Sequence, residues 1–200
     1  MKHNRDPDQT RQTILEAAAQ EIHLNGFQAA SLSRILASTG LTKGALYHHF
    51  PNKQALGYAV LEEVILVQGR ETWIGPLECC ADPVDCLQEM ISSRFKDMTE
   101  QDLLLGCPLN NLALEMSPID EGFRRRVQKI YDLWTQGLAA ILARGQGSGS
   151  VRLAIDPFKV ATFIVASIAG IRSLAKTAQS KAVLEASADA LIDYLETLRN

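Results

Sequence analysis

The chain has 200 residues, 46% of them hydrophobic and 22% charged, with a formal net charge of −3. That composition builds a folded protein with a buried core, excludes a disordered chain, and speaks against nucleic-acid binding by the chain as a whole. The charge is uneven, however: residues 1–53 hold six Lys/Arg (Lys2, Arg5, Arg11, Arg34, Lys43, Lys53) against four acids (Asp6, Asp8, Glu16, Glu21), which leaves −5 on the remainder. All four histidines, His3, His23, His48 and His49, lie in this mildly basic front quarter.

Sustained alternation is absent and helical spacing dominates, so an all-α fold is expected. A first helix over about residues 8–24 carries Ile14, Ala17, Ala18, Glu21 and Ile22, with Asn25-Gly26 as its exit. Ser31 is a good N-cap for a second, short helix that stops at Thr39-Gly40. A third follows Thr42. Pro51-Asn52 breaks the chain and starts a longer helix toward Trp73, which Gly75-Pro76 should end. Asp82-Pro83 opens a helix to about residue 98, Gly106-Cys107-Pro108 a shorter one to Met116, and Ser117-Pro118 a long one to about residue 144. The run GQGSGS, residues 145–150, reads as a flexible loop. Asp156-Pro157 starts a strongly apolar helix to about residue 178, and the last helix covers about residues 182–198. The expectation is nine helices.

The stretch LTKGALYHHFPNKQAL, residues 41–56, draws attention because it sets a tyrosine and two histidines on one short helix. Two short helices joined across Gly40 have the layout of a helix-turn-helix. Phasing the second at 100° per residue puts Leu46 and Phe50 inward and Gly44 and His48 nearly opposite. His49 points toward the core edge. The outward face is small near its start and then presents an imidazole beside a phenol. Such a face suits a recognition helix: Gly44 and Ala45 permit close approach to a major groove, and His48 reaches base edges. Tyr47, Lys43, Lys53, Ser31 and the Thr42 cap hold phosphates. Adjacent helical histidines diverge too far to share one ion, so no metal site is expected there.

Gly26-Phe27, Ser31 through Ile35, and GLTKGALYHHFPNKQAL resemble the DNA-binding domain of TetR-family transcriptional regulators. TRQTILEAAAQEIHLNGF resembles that family's first helix. The resemblance covers roughly residues 9–60; Leu36 departs from the small residue usual at its place. It implies an all-α, two-domain regulator, with a three-helix head over residues 1–53 and a ligand-binding and dimerisation body over residues 54–200. It also implies a homodimer on double-stranded DNA, and by family habit a repressor released by a small-molecule effector. The penultimate helix, with Phe163, Ser167, Gly170, Ile171 and Leu174, and the last, with Leu184, Ala188, Leu191, Ile192 and Leu195, carry stripes fit for a four-helix dimer interface. Plain intrachain core is the competing reading of those stripes.

In the body, Trp73, Phe95, Asn110, Asn111, Tyr131, Trp134 and Phe163 are the candidate ligand-binding residues, since apolar walls with a few amides suit a small apolar or aromatic compound. Ordinary core packing explains each of them equally well. Cys107 is the candidate redox sensor, because it follows a glycine at a helix start, although a free cysteine is more often a buried structural one. Cys79, Cys80, Cys86 and Cys107 lack metal-ligand spacing, and no apolar leader opens the chain, so four reduced thiols in a cytoplasm are expected. The uncharged apolar run over residues 160–171 is too short for a bilayer, and no membrane association is expected. No nucleophile–base pair, phosphate loop or cofactor motif is present, so neither an enzyme nor a cofactor is expected. A module that turns its basic head to another acidic partner is the remaining alternative.

Overall fold

Local capping chemistry sets most of the helix starts in the computed structural model, which describes residues 6–200. Lys2, His3 and Arg5 of the basic head lie outside the described residues. Asp6 accepts from the Asp8 N–H and starts α1, Pro7–Asn25. Ser31 caps α2, Leu32–Thr39, and Thr42 caps α3, Lys43–His49, each through a side-chain oxygen on the third backbone N–H beyond it. Between these two helices Gly40 takes the left-handed conformation at φ 64°, which a residue without Cβ adopts freely. Asn52 caps α4, Lys53–Ala59, which continues through a π-helical segment, Val60–Ile65, into α5, Leu66–Trp73.

Asp82, Asp156 and Ser180 cap α7, Pro83–Lys96, α11, Pro157–Ala178, and α12, Lys181–Glu196. α9, Pro108–Met116, and α10, Glu121–Ser148, complete the nine elements read from the sequence. Two short helices, of four and six residues, add to them. Gly75-Pro76, instead of only ending a helix, forms the first turn of α6, Gly75–Glu78, and a Thr99–Asp102 capping box makes α8, Glu100–Leu105. The described residues contain no strand beyond an isolated bridge between Val151 and Arg199.

The expected loop at residues 145–150 is a correction. α10 runs through it to Ser148, and the turn falls on Gly149 at φ 83°. Packing explains the helical glycine: a Cβ on Gly145 would come within 2.6 Å of Val151 Cγ2 and 2.9 Å of Pro83 Cγ, so close contact overrides weak helix propensity. The Gly145 carbonyl then accepts from the Ser150 and Val151 N–H groups at 3.0 and 3.1 Å.

The chain forms two compact units. The first holds residues up to 68 together with 111–127, the second residues 69–110 and 128–200. This division departs from a boundary at residue 53, because α4, the π segment and part of α9 and α10 pack with the head. The chain passes from one unit to the other inside α5, α9 and α10. The first unit's core holds Ile14, Leu15, Ile35, Leu46, Leu56, Leu61 and Phe27, whose ring lies 4.5 Å from that of Phe123. The second unit's core is built by α7, α10, α11 and α12.

Two expectations about the second unit change. Cys80 and Cys86 form a disulfide, with Cα atoms 6.4 Å apart, so only Cys79 and Cys107 are free thiols. The tight turn from α6 into α7 brings them together, and no sequence pattern announces it. Ile171, Leu184, Ala188, Leu191 and Leu195, expected at a dimer interface, are buried in the chain's own core. The reason is that α12 lays its apolar stripe on α7 and α11.

Candidate nucleic-acid interface and effector cavity

α3 presents one buried side and one bare side. Leu46 is fully buried and Phe50 is 2% exposed, while Lys43, Gly44 and His48 are exposed and Tyr47 is 42% exposed. Ala45 and His49 lie at intermediate depth, with the His49 ring meeting that of His48 edge-on at 5.1 Å. Lys43 Nζ stands 5.8 Å over the Tyr47 ring. A Cβ on Gly44 would meet nothing closer than Thr42 Oγ1 at 3.8 Å, so nothing within the protein requires a glycine at this place.

The helix-turn-helix is held from behind by Glu21. This buried carboxylate accepts from the Ser31 N–H at 2.9 Å and from Arg34 Nε at 2.7 Å. The Arg34 guanidinium holds the Glu21 carboxyl below the usual carboxylate range. Ser31 is therefore engaged at its backbone by Glu21 and at its hydroxyl by the Arg34 N–H at 3.4 Å. Glu115 grips the preceding loop, accepting from the Phe27 and Gln28 N–H groups at 2.8 Å each. Lys53 is not a free phosphate hook: its Nζ donates to the Gln28 carbonyl at 2.9 Å over the Phe27 ring, and burial pushes its ammonium below the ordinary lysine range.

The second unit encloses a cavity walled by Trp73, Ile74, Leu87, Met90, Cys107, Tyr131, Trp134, Leu138 and four residues of α11, namely Val165, Ile168, Ala169 and Arg172. Its volume is about 40 Å³, room for a water or two, so a larger guest enters only when a wall moves. Tyr131, Val165 and Ala169 also line an open groove of about 390 Å³ between α10 and α11. Tyr131 thus belongs to both spaces. Its hydroxyl donates to Asn110 Oδ1 at 3.3 Å, and Asn110 Nδ2 donates to Ser173 Oγ at 2.5 Å. Burial pushes the Tyr131 phenol well above its ordinary range, so it stays a donor at any physiological pH. Gly69 gives room to Trp134: a Cβ there would come within 2.3 Å of the indole Cζ2.

Of the residues expected to bind a ligand, Trp73, Tyr131 and Trp134 line the cavity, and Asn110 stands behind Tyr131. Phe95 is buried behind Trp73, their rings 6.3 Å apart. Asn111 falls in the other compact unit. Phe163 is 49% exposed against Tyr194 and lies away from the cavity. Cys107 lines the cavity and is not fully buried. Sequence reasoning missed Arg172, whose signal is a lone cation well inside an apolar helix. It also missed the aliphatic walls, which nothing distinguishes from core. No group of three or more His, Cys, Asp or Glu suited to a metal occurs among the described residues.

Residues 14–60 match the family described as bacterial regulatory proteins, tetR family, and residues 83–190 match the transcriptional regulator LmrA/YxaF-like C-terminal domain. The chain is 29% identical over 182 residues to an uncharacterised HTH-type transcriptional regulator of Lactococcus lactis, covering 91% of each. It is 28% identical over 160 residues to the HTH-type transcriptional repressor DhaR of a Mycobacterium strain, covering 80% of this chain and 79% of that one. A TetR transcriptional regulator from Chloroflexus aurantiacus has the same fold, with a TM-score of 0.84 and 26% identity over 98% of both chains.

Proposed function

The chain belongs to the TetR family of transcriptional regulators, a family of DNA-binding proteins and not of enzymes, and from that premise we propose a ligand-released repressor. Two subunits place their α3 helices in successive major grooves of a palindromic operator, about one helical turn apart. The observation that carries this reading is the bare side of α3: Lys43, Gly44, Tyr47 and His48 exposed over buried Leu46 and Phe50. Ala45, Ser31, Thr42 and the N-terminus of α3 complete the footprint. Repression follows the role of the Mycobacterium relative, a transcriptional repressor.

Dimerisation is supported by α11. Its 22 residues are long and apolar enough to cross a bilayer, yet only 28% of its most apolar stretch is buried. The uncharged run at residues 160–171 understates it. Lys159, Arg172 and Lys176 on the same helix suit a second subunit better than hydrocarbon. Phe163 and Leu174, 49% and 55% exposed, and Gly170, whose missing side chain faces open space, form the face that a partner copy covers, with Ser167 and Ile192 beside it. Operator binding puts the protein in the cytoplasm, where a disulfide such as Cys80–Cys86 is transient and redox-responsive.

Release works by differential affinity for two states. An effector that moves Tyr131 also moves Asn110 near the start of α9, and the last turn of that helix carries Glu115, the grip on residues 27 and 28. Cys107, just before α9, would report thiol-reactive compounds by the same route. The test is a mobility shift on the DNA upstream of the protein's own gene and on a random-sequence selection. One palindromic sequence, bound with a steep salt dependence and lost in a His48→Ala, Tyr47→Ala double variant, is expected. Binding that is equal on all sequences, or unchanged in the double variant, would remove α3 as the reader.

A further inference from the structure

The polar chemistry of the cavity wall is one-sided. Trp134 carries a buried Nε1–H with no partner and Arg172 a guanidinium, while the Tyr131 hydroxyl spends its hydrogen on Asn110 through a long bond of 3.3 Å. Arg172 Nη2 donates to the Gly106 carbonyl at 2.9 Å, and among the described residues the guanidinium has no carboxylate partner. No Asp or Glu lines the space. A half-buried cation facing apolar walls, with only a neutral carbonyl to share, is left short of compensation. The orphaned Trp134 Nε1–H calls for the same thing, an acceptor brought from outside. The rest of the wall is apolar, with the Tyr131 and Trp134 rings edge-on at 6.0 Å, Trp73 a third aromatic in the lining, and aliphatic side chains between them.

We propose that this cavity takes a small planar aromatic anion, an arenecarboxylate or a phenolate, with its ring among Trp73, Tyr131 and Trp134 and its charge against Arg172. The inference rests on the reading of the second unit as the effector-binding domain and adds the ligand's charge and the residue that selects it. The closed space is too small for a benzene ring, which a cavity of about 150 Å³ accepts. Tyr131 is the wall that yields, because it borders both the cavity and the groove between α10 and α11, and its one hydrogen bond is long at 3.3 Å. Ligand entry and displacement of Asn110 are then one event.

Trp73 and Trp134 are the chain's two tryptophans and both line the cavity, so intrinsic fluorescence reads it directly. The full-length protein is titrated with cinnamate and with cinnamamide, which differ in charge and little in shape, and calorimetry checks each isotherm. Cinnamate is expected to quench saturably and to bind at least about 10-fold more tightly than the amide. Arg172→Met should erase that preference while leaving amide affinity within about 2-fold, and Arg172→Lys should keep part of it. The charge preference on the unaltered protein decides the matter if Arg172→Met fails to fold. Equal affinities for acid and amide, or undiminished cinnamate binding by Arg172→Met, overturn the anion assignment and leave the cavity an effector site. If neither these probes nor a panel of neutral aromatics perturbs either tryptophan, the effector-domain reading falls with it.

Discussion

Replacing Glu115 by alanine tests how the head's first loop is held. Both oxygens of this carboxylate are committed: Oε2 accepts from the Phe27 N–H and Oε1 from the Gln28 N–H, each at 2.8 Å. Hydrogen bonds to a charged acceptor contribute ~1.5–3 kcal/mol each when buried. The Phe27 bond is part-buried and the Gln28 bond exposed, so water replaces much of the second, and a total of about 2 kcal/mol is expected for the pair. At roughly 2–4 °C per kcal/mol for a chain of this size, the melting temperature should fall by about 4–8 °C. Glu115→Gln keeps one acceptor and turns an N–H₂ toward the other donor, so it should recover little of the loss. Calorimetry gives the temperature, and amide exchange locates the effect, with faster exchange at Phe27 and Gln28 in the alanine variant. An unshifted melting temperature together with unchanged exchange at those two amides would refute the latch.

The glycines separate space from propensity. Gly57→Ala drives a Cβ to 2.4 Å from Phe27 Cε2 and 2.7 Å from Phe123 Cζ and should destabilise by about 1–3 kcal/mol, whereas Gly147→Ala meets open space in α10 and should stabilise by ~0.5–1 kcal/mol, both read by urea melts. Gly44→Ala should raise the helix stability of α3 by up to ~1 kcal/mol yet weaken operator binding, and a variant that binds DNA as well as the parent would place α3 farther from the groove. The Glu21 carboxyl has its folded pKa depressed, by Arg34 first, so its contribution is fully present above its unfolded value near 4.5 and fades as pH falls through the folded value. Glu21→Gln should therefore lose stability at neutral pH and show a shallower acid decline than the parent. Removing the disulfide with Cys80→Ser and Cys86→Ser should cost up to about 2 kcal/mol for so short a loop, and dithiothreitol, expected to lower the melting temperature of the parent, should leave that of the double variant unchanged.

What the sequence by itself determined is what acts within a turn or two of the chain. Ser31, Thr42, Asn52, Asp82 and Asp156 cap their helices through their own neighbours, Gly40 makes its turn alone, and the helical phase of residues 43–50 decides that Leu46 goes in and His48 out. Those short-range effects make the helix-turn-helix legible in the sequence. The tertiary structure decided everything that needs partners far along the chain. Val151 and Pro83 hold α10 helical through Gly145, α7 and α11 claim the stripe of α12 that also suited a dimer, and a turn between two helices joins Cys80 to Cys86. The cavity belongs to this second class. Trp73, Met90, Cys107, Tyr131 and Arg172 come from five separate segments, and each taken alone reads as ordinary core or an isolated charge, because burial and pairing are properties of the packed neighbourhood and not of any residue's place in the sequence.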